Sequence, residues 1–269
     1  MGVASWCSAA SMMMEFGVLA LLAIGVGFIA SMIGVGGGIF MVPLLTLVYV
    51  PTTQIAVGTS LAAIVFNSLS STIGYGRQRA VDFRLGGLLV PTALVGAWLG
   101  AYLTGFVSSG GLAIAFGALL IYVAGLMLWG RSPKELAAKF RRQTDDGRDV
   151  YRPMPVLGIG FLAGVASGFF GIGGGTVMVP AITLLLGADI LTAVATSLFV
   201  MGPSALIGSG QHFLQGNLQI ELALPLAVGI IIGAQLGSHI ATRVPQLLLR
   251  RLFGVVLLYA AVNMIVEGL

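Results

Sequence analysis

Long, continuously apolar runs separated by short polar connections make up the chain, and they predict membrane-spanning helices. A helix needs about 20 apolar residues to cross a hydrocarbon core of about 30 Å. The runs form two sets of five, at 16–33, 39–50, 55–75, 85–106 and 111–130, and at 154–170, 176–187, 190–211, 221–242 and 246–267. The second run of each set has only 12 residues, about 18 Å of helix. These two short runs either cross the membrane with distortion or turn back within it.

The two sets are an internal repeat. Without a gap, Gly34 matches Gly171, and we call the spacing between these two positions the repeat offset. The same offset relates Gly36–Gly38, Met41–Pro43, Thr59–Leu61, Gly96 and Gly100 to Gly173–Gly175, Met178–Pro180, Thr196–Leu198, Gly233 and Gly237. In the first run of each set, Gly25 and Gly27 match Gly158 and Gly160 instead. The second half is therefore expected to carry about four extra residues before its glycine loop.

Charged residues are few, and their placement predicts the topology. They make up 8% of the chain, against about 25% in soluble domains, which excludes a soluble enzyme and a nucleic-acid-binding module. The stretch 131–152 carries seven basic and four acidic residues. Because basic loops mark the cytoplasmic side, this linker and the arginine-containing loop 76–84 are predicted to be cytoplasmic. The equivalent loop 213–221 has no Lys or Arg and is predicted to lie outside.

Equivalent loops on opposite sides are the pattern of an inverted repeat. The predicted fold is an all-α polytopic membrane protein with two inverted repeats of about five hydrophobic segments each and broken or short helices after glycine-rich loops. The predicted order is an N-terminal tail at 1–15, a first transmembrane repeat at 16–130, a basic cytoplasmic linker at 131–153 and a second transmembrane repeat at 154–269. Both termini are then expected outside.

Two glycine loops, Gly34–Gly38 and Gly171–Gly175, are the first candidate binding site. Three consecutive glycines at membrane depth open a helix and expose backbone N–H groups for which hydrocarbon offers no partner. A helix that begins just after them points its free N–H groups and its positive dipole end at the gap, which makes an anion site without a charged side chain. Close helix packing is the alternative explanation. The candidate ligand residues are Gly36, Gly37, Gly38, Gly173, Gly174 and Gly175.

The repeated sequence Ala-Val-x-Thr-Ser-Leu supplies further candidates. Its hydroxyls can bind a small oxyanion or bond back to the preceding helical turn. They belong to Thr59, Ser60, Thr196 and Ser197. Asn67 and its counterpart Ser204 lie further along the same spans, where a polar side chain indicates a functional role or an interhelical hydrogen bond. His212, at the end of its run, is expected at the membrane interface rather than in a proton relay.

The residue types argue against catalysis. The sequence contains no Walker loop, no cluster of His, Cys and carboxylates, and no Asp or Glu in mid-span. No enzyme activity, cofactor or metal is therefore expected. For a monovalent anion, an inside-negative potential alone supplies about 2.3 kcal/mol per 100 mV for export. Proton coupling through histidine or water is the alternative.

The doubled glycine motif followed by Val-Pro, with the repeated Ala-Val-x-Thr-Ser-Leu, resembles the sulfite exporter TauE/SafE family of membrane permeases over 16–267. The resemblance implies a secondary transporter in the cell membrane, here a bacterial inner membrane, that moves sulfite or organosulfonates. Its partners would be a small anionic substrate and membrane lipid, with no nucleic acid, and a homo-oligomer stays open. Export is the expected direction. A permease or channel for a different small ion or solute, including uptake, is the alternative.

Cysteine labelling tests the predicted topology. Because matched loops carry opposite charge bias, cysteines introduced at Ala80 and Phe140 should react only from the cytoplasm, and those at Ser108 and Gly216 only from outside. Replacing Cys7, the single cysteine of the chain, removes the background. Labelling of positions 80 and 216 from the same side would show that the two halves are parallel.

Overall fold

The computed structural model describes residues 2–50, 52–129, 141–143, 149–151, 153–241, 258–259, 261–262 and 264–266. Its helices are α1 (Gly2–Ile33), α2 (Gly38–Val48), α3 (Thr53–Arg77), α4 (Phe83–Thr104), α5 (Ser109–Trp129), α6 (Pro153–Phe170), α7 (Gly175–Leu185), α8 (Ile190–Leu214) and α9 (Ile220–Ile240). Two short strands in the linker, β1 (Arg141–Gln143) and β2 (Asp149–Tyr151), pair antiparallel.

The predicted all-α polytopic fold is confirmed. Six helices of the described part, namely α1 from Phe16 onward, α3, α4, α6, α8 and α9, are long and apolar enough to span a membrane. The linker hairpin departs from the all-helical expectation, and α1 is already helical from Gly2. The predicted run 246–267 lies largely outside the described residues, which are helical at 258–259, 261–262 and 264–266.

α3 and α8 form an antiparallel pair at the centre of the molecule, where they are the most buried of the six long helices. A Cβ atom placed on Gly208 of α8 would lie 3.1 Å from Leu61 Cδ1 of α3. One placed on Gly202, earlier in α8, would lie 2.7 Å from Ser68 Oγ, later in α3. The two helices therefore run in opposite directions along their contact.

The loops that follow these two helices lie at opposite ends of the pair. The backbone N–H of Asp82, after α3, donates to Thr196 Oγ1 near the start of α8 over 3.0 Å. The N–H of Gln219, after α8, donates to Thr59 Oγ1 near the start of α3 over 3.1 Å. Because α3 and α8 are antiparallel, we name these two ends of the molecule the α3–α4 end and the α8–α9 end.

α2 and α7 are half-helices that turn back within the membrane-spanning core. Each has 11 residues, about 16 Å, which is too short for a core of about 30 Å. α2 starts beside Ile64 in the middle of α3, since a Cβ on Gly36 would lie 3.3 Å from Ile64 Cγ2. It ends at Val48, just before Thr53 begins α3. α2 thus runs from the centre to the α8–α9 end, and α7 runs by the same pattern to the α3–α4 end.

The outer helices pack across the two halves through glycines. α6 lies along α4, and α1 lies along α9. A Cβ on Gly96 would lie 2.3 Å from Phe161 O, and one on Gly233 would lie 2.1 Å from Ile24 O. The first long helix of each half therefore packs against the fourth element of the other half, with backbones in direct contact as small residues allow.

These contacts correct the register of the repeat. Phe161 and Ile24 are separated by the repeat offset, as their glycine partners are. The last residues of α1 and α6 are separated by the same offset. The four-residue shift that matched Gly25 with Gly158 is therefore wrong. Glycines recur every four residues in α6, at Gly160, Gly164 and Gly168, so Gly27 is matched by a glycine in either register. Only the helix contacts distinguish the two registers.

Substitutions at Gly100 and Gly87 of α4 test this packing. A Cβ on Gly100 would lie 2.3 Å from Val165 O and 2.8 Å from Phe169 N, whereas no described atom outside the local backbone of α4 lies within 4 Å of one on Gly87. Gly100→Ala should lower the Tm of the detergent-solubilised protein, with overpacking costing about 1–3 kcal/mol. Gly87→Ala should leave the Tm unchanged or raise it, because alanine favours the helix. Equal Tm values for the two variants would contradict the close backbone contact.

Candidate functional site

The two glycine loops connect the long helices α1 and α6 to the half-helices α2 and α7. Three positions in each loop have positive φ, namely Gly34, Gly36 and Gly37, and Gly171, Gly173 and Gly174. Side chains with a Cβ rarely adopt this backbone conformation. Gly37 (φ 94°) and Gly174 (φ 75°) are the N-cap residues, and neither has a side chain that could cap the helix. The third and fourth N–H groups of each half-helix donate to its N-cap carbonyl. The first two N–H groups of α2 and α7 have no acceptor within their own helix and are left for another partner.

The two loops contact each other at the centre of the molecule. A Cβ on Gly38 would lie 2.0 Å from Gly171 O, and a Cβ on Gly175 would lie 2.1 Å from Gly34 O. Glycine is therefore required at both positions for the backbones to approach. The glycines that the sequence predicts as two separate motifs form a single cluster.

Ser60 and Ser197 hold each loop from the opposite half. Ser60 Oγ donates to Gly171 O over 2.9 Å, and Ser197 Oγ donates to Gly34 O over 3.0 Å. Each hydroxyl also lies 2.8 Å from a carbonyl one turn back in its own helix. Each serine thus bonds both the preceding turn of its own helix and the glycine loop of the other half.

Thr59 and Thr196 hold the connecting loops. As described above, each hydroxyl accepts the N–H of the residue before α9 or α4. All four hydroxyls of the repeated Thr-Ser pairs therefore have a backbone partner in the opposite half. Direct contact of these four side chains with a substrate stays a prediction.

Ile64 and Met201 close the space between the loops. They occupy equivalent positions on α3 and α8, separated by the repeat offset, and both are fully buried. A Cβ on Gly36 would lie 2.8 Å from Met201 Sδ and 3.3 Å from Ile64 Cγ2, and a Cβ on Gly173 would lie 2.7 Å and 3.2 Å from the same atoms. The centre of the molecule is thus an apolar barrier with a half-helix N-terminus on each side.

Asn67 lies beyond this barrier, toward the α3–α4 end, to which the N-terminus of α2 points. It follows Ile64 by about one helical turn and has no exposed surface. No described residue lies within hydrogen-bond distance of its Nδ2 or Oδ1. Its counterpart Ser204 instead donates to Val200 O and Met201 O of its own helix. The two positions are equivalent in sequence and differ in hydrogen bonding.

Sequence reasoning missed two hydroxyls at the N-terminus of α7. Ser167 is fully buried and Thr176 is 3% exposed. The described part of the chain offers neither Ser167 Oγ nor Thr176 Oγ1 a hydrogen-bond partner. Their counterparts in the first half, at the repeat offset, are Ala30 and Ile39. The sequence could have indicated these two residues, because each is polar where the equivalent position of the first half is apolar.

His212 is buried among the helices near the end of α8, and its position at the depth of the membrane interface stays a prediction. Its side chain has no exposed surface, and Nε2 lies 3.0 Å from Gly168 O in the last turns of α6. Tyr75, its counterpart, donates to Ser31 O of α1 over 2.9 Å. Both side chains thus bond a carbonyl near the C-terminus of a helix that ends at a glycine loop, where helices lack intrahelical donors.

A basic cleft of about 470 Å³ opens at the α3–α4 end. Its lining includes Arg79, Asp82, Arg84 and Thr192. Among the described residues, no group of three His, Cys, Asp or Glu side chains is placed to hold a metal ion. The arrangement is suited to an anion, with two arginines at the α3–α4 end of the molecule and helix N-termini at the centre.

Comparisons with known proteins agree with this architecture. A family model described as Sulfite exporter TauE/SafE matches residues 19–264. The probable membrane transporter protein YunE of Bacillus subtilis (strain 168) is 35% identical over 220 residues, which are 76% of this chain and 81% of that protein. A probable membrane transporter protein of Xylella fastidiosa (strain Temecula1) is 32% identical over 244 residues, 89% and 91% of the two chains. No solved structure matches the chain significantly.

Valine substitutions at the two N-cap glycines test the loops. Gly37→Val and Gly174→Val place a branched side chain at φ 94° and 75°, and both should abolish transport in proteoliposomes. Both variants should still insert in the membrane, and both should lower the Tm because a side chain is strained at positive φ. Gly174→Val should lower it more, because its Cβ would lie 2.4 Å from Ala163 O, whereas the Cβ of Gly37→Val meets its nearest described atom at 3.3 Å. Gly25→Val, with nothing within 4 Å, is the control. Near-normal transport in both loop variants would leave the loops a packing role only.

Proposed function

This chain belongs to the sulfite exporter TauE/SafE family, and we propose that it exports small sulfur-containing anions, such as sulfite or organosulfonates, as a secondary transporter. The family is one of membrane permeases rather than enzymes, and the relatives carry the names of membrane transporters. The substrate class and the outward direction are the parts of this statement that we propose.

The observation that carries the proposal is that two half-helix N-termini meet in a core that also holds buried polar side chains without a hydrogen-bond partner among the described residues. A helix N-terminus offers free N–H groups and about half a positive charge to an anion. A buried polar group without a partner costs about 1–3 kcal/mol. The Asn67 amide carries this cost, and the oxygens of a bound oxyanion would remove it by accepting its N–H groups.

The buried side chains favour an anion over a cation. Among the described residues, the buried polar side chains are hydroxyls, the Asn67 amide and the His212 imidazole, and none is a carboxylate. A cation path through a membrane ordinarily uses Asp or Glu in mid-span. A small oxyanion, by contrast, can be bound by N–H and O–H donors alone.

An inverted repeat would let this site open alternately to either side. Two features support it: the reciprocal bonds of Ser60 and Ser197 to the opposite glycine loops, and the placement of equivalent loops at opposite ends of α3 and α8. The N-termini of α2 and α7 point to opposite ends, with Ile64 and Met201 between them. Rocking of one half against the other would expose one N-terminus at a time, as in transporters with repeats of this kind.

The basic cleft supports export. Arg79 and Arg84 line it at the α3–α4 end, which the charge distribution predicts to be cytoplasmic. Positive charge at an entrance raises the local concentration of anions, so the cleft would collect substrate from the cytoplasm. We place the chain in the bacterial inner membrane, with linker 131–153 in the cytoplasm and both termini outside.

Efflux from proteoliposomes tests the function. Vesicles loaded with labelled sulfite or methanesulfonate should release it through the wild-type protein, and faster under an inside-negative potassium-diffusion potential without a pH gradient. A potential of about 100 mV would sustain a roughly fifty-fold gradient of a monovalent anion. Asn67→Leu should lower the efflux rate by about tenfold or more without lowering the Tm, because it removes an unpaired buried amide.

Ser209→Ala is the matched control, since Ser209 Oγ already donates to Leu206 O within its own helix. It should transport like the wild type. Absence of flux for every sulfur anion, with flux of another solute, would overturn the substrate assignment. If the efflux rate does not change with the potential and depends only on a pH gradient, transport is coupled to protons and is not uniport.

A further inference from the structure

We infer that Ser167 and Thr176 form a hydroxyl-lined oxyanion subsite at the N-terminus of α7, open in the transport cycle to the α8–α9 end only. This inference rests on the proposed function and adds to it. The two half-helix N-termini are then chemically different subsites, with an amide at the α2 end and hydroxyls at the α7 end.

Ser167 and Thr176 both lie at the N-terminus of α7. Ser167 is in the last turn of α6, and its Cβ is 3.4 Å from the position that a Cβ of the N-cap Gly174 would occupy. Thr176 is the second residue of α7. Both side chains are more than nine-tenths buried, and in the described ranges no protein group accepts from or donates to either hydroxyl.

The first half lacks this chemistry at the equivalent place. Ala30 takes the position of Ser167, since a Cβ on Gly37 would lie 3.4 Å from Ala30 Cβ. Ile39 takes the position of Thr176, and both residues are fully buried. The same packing is therefore built at the α2 end with apolar side chains, so packing does not require hydroxyls at the α7 end.

Unpaired hydroxyls and free N–H groups together select an oxyanion. A buried hydroxyl without a partner destabilises the protein, whereas an anionic oxygen accepts a short, strong hydrogen bond from it. The positive end of the helix dipole adds to this attraction and opposes a cation. A group with three oxygens, such as sulfite or a sulfonate, can accept from Ser167, Thr176 and a backbone N–H at once.

The direction of α7 sets the side from which this subsite is reached. α7 runs from the centre to the α3–α4 end, so its N-terminus points to the α8–α9 end. Ser167 lies on the same side, because Gly168, the next residue, bonds His212 near the end of α8. An anion in this subsite would exchange with the medium at the α8–α9 end.

Sided transport kinetics test the subsite. Ser167→Ala and Thr176→Val are measured in proteoliposomes of known orientation, with methanesulfonate as the probe because it stays a monovalent anion at every pH used. Each variant should raise the KM for anion offered at the α8–α9 end by about tenfold, and leave the KM at the α3–α4 end within about twofold. Thr183→Val is the matched control, because it removes another unpaired hydroxyl of α7, two turns from the N-terminus, and both its KM values should match the wild type.

Thermal stability provides an independent readout. Without anion, the Tm of Ser167→Ala and Thr176→Val should equal or exceed that of the wild type, and the rise in Tm that methanesulfonate causes should shrink. A lower Tm without anion would overturn the inference, because it would mean that the hydroxyls have a structural partner. Unchanged KM values, or equal increases from both sides, would also overturn it while leaving the proposed function intact. Failure of the wild type to transport any sulfur anion would instead reject the proposed function.

Discussion

The structure depends on one constraint: backbone polar groups at membrane depth must find partners within the protein. Two helices break at glycine loops in the middle of the core, and each broken end is held by the opposite half. Ser60 bonds the carbonyl of Gly171, and Ser197 bonds that of Gly34. Because the first carbonyl of each loop accepts a hydrogen bond from a serine of the other half, the two halves are bound to each other at the point where their half-helices begin. The candidate site is a consequence of this arrangement.

The polar contacts divide into those that the two halves share and those that they do not. The pair Tyr75 and His212 makes equivalent bonds to helix-end carbonyls, and the repeated threonines make equivalent bonds to the loops. By contrast, Asn67 is unpaired where Ser204 is paired. The shared contacts maintain the architecture. The unshared ones leave polar atoms without a partner among the described residues, and we propose that a substrate binds to these atoms.

The direct contact between the two glycine loops is small, which is compatible with a moving transporter. The glycine loops meet through backbone contact, two serine hydrogen bonds and the side chains of Ile64 and Met201. Each such hydrogen bond contributes about 0.5–1.5 kcal/mol. The outer pairs α1 with α9 and α4 with α6 are joined by glycine contacts along several turns. Each pair would therefore move as a unit, and the loops at the centre would be the place where contacts break and re-form.

The sequence by itself determined the class of the protein. Its apolar runs predict spanning helices, because in hydrocarbon the side chains must be apolar and the backbone must form its hydrogen bonds internally. The duplicated motifs identify the glycine loops. The sequence did not determine the register of the first run, since aligning Gly25 with Gly158 also pairs identical residues. The sequence also did not show which hydroxyls are hydrogen-bonded within the protein. Only tertiary structure decided that Thr59 and Ser60 have backbone partners and that Ser167 and Thr176 have none among the described residues. A hydrogen bond between residues far apart in the sequence depends on how the two halves pack.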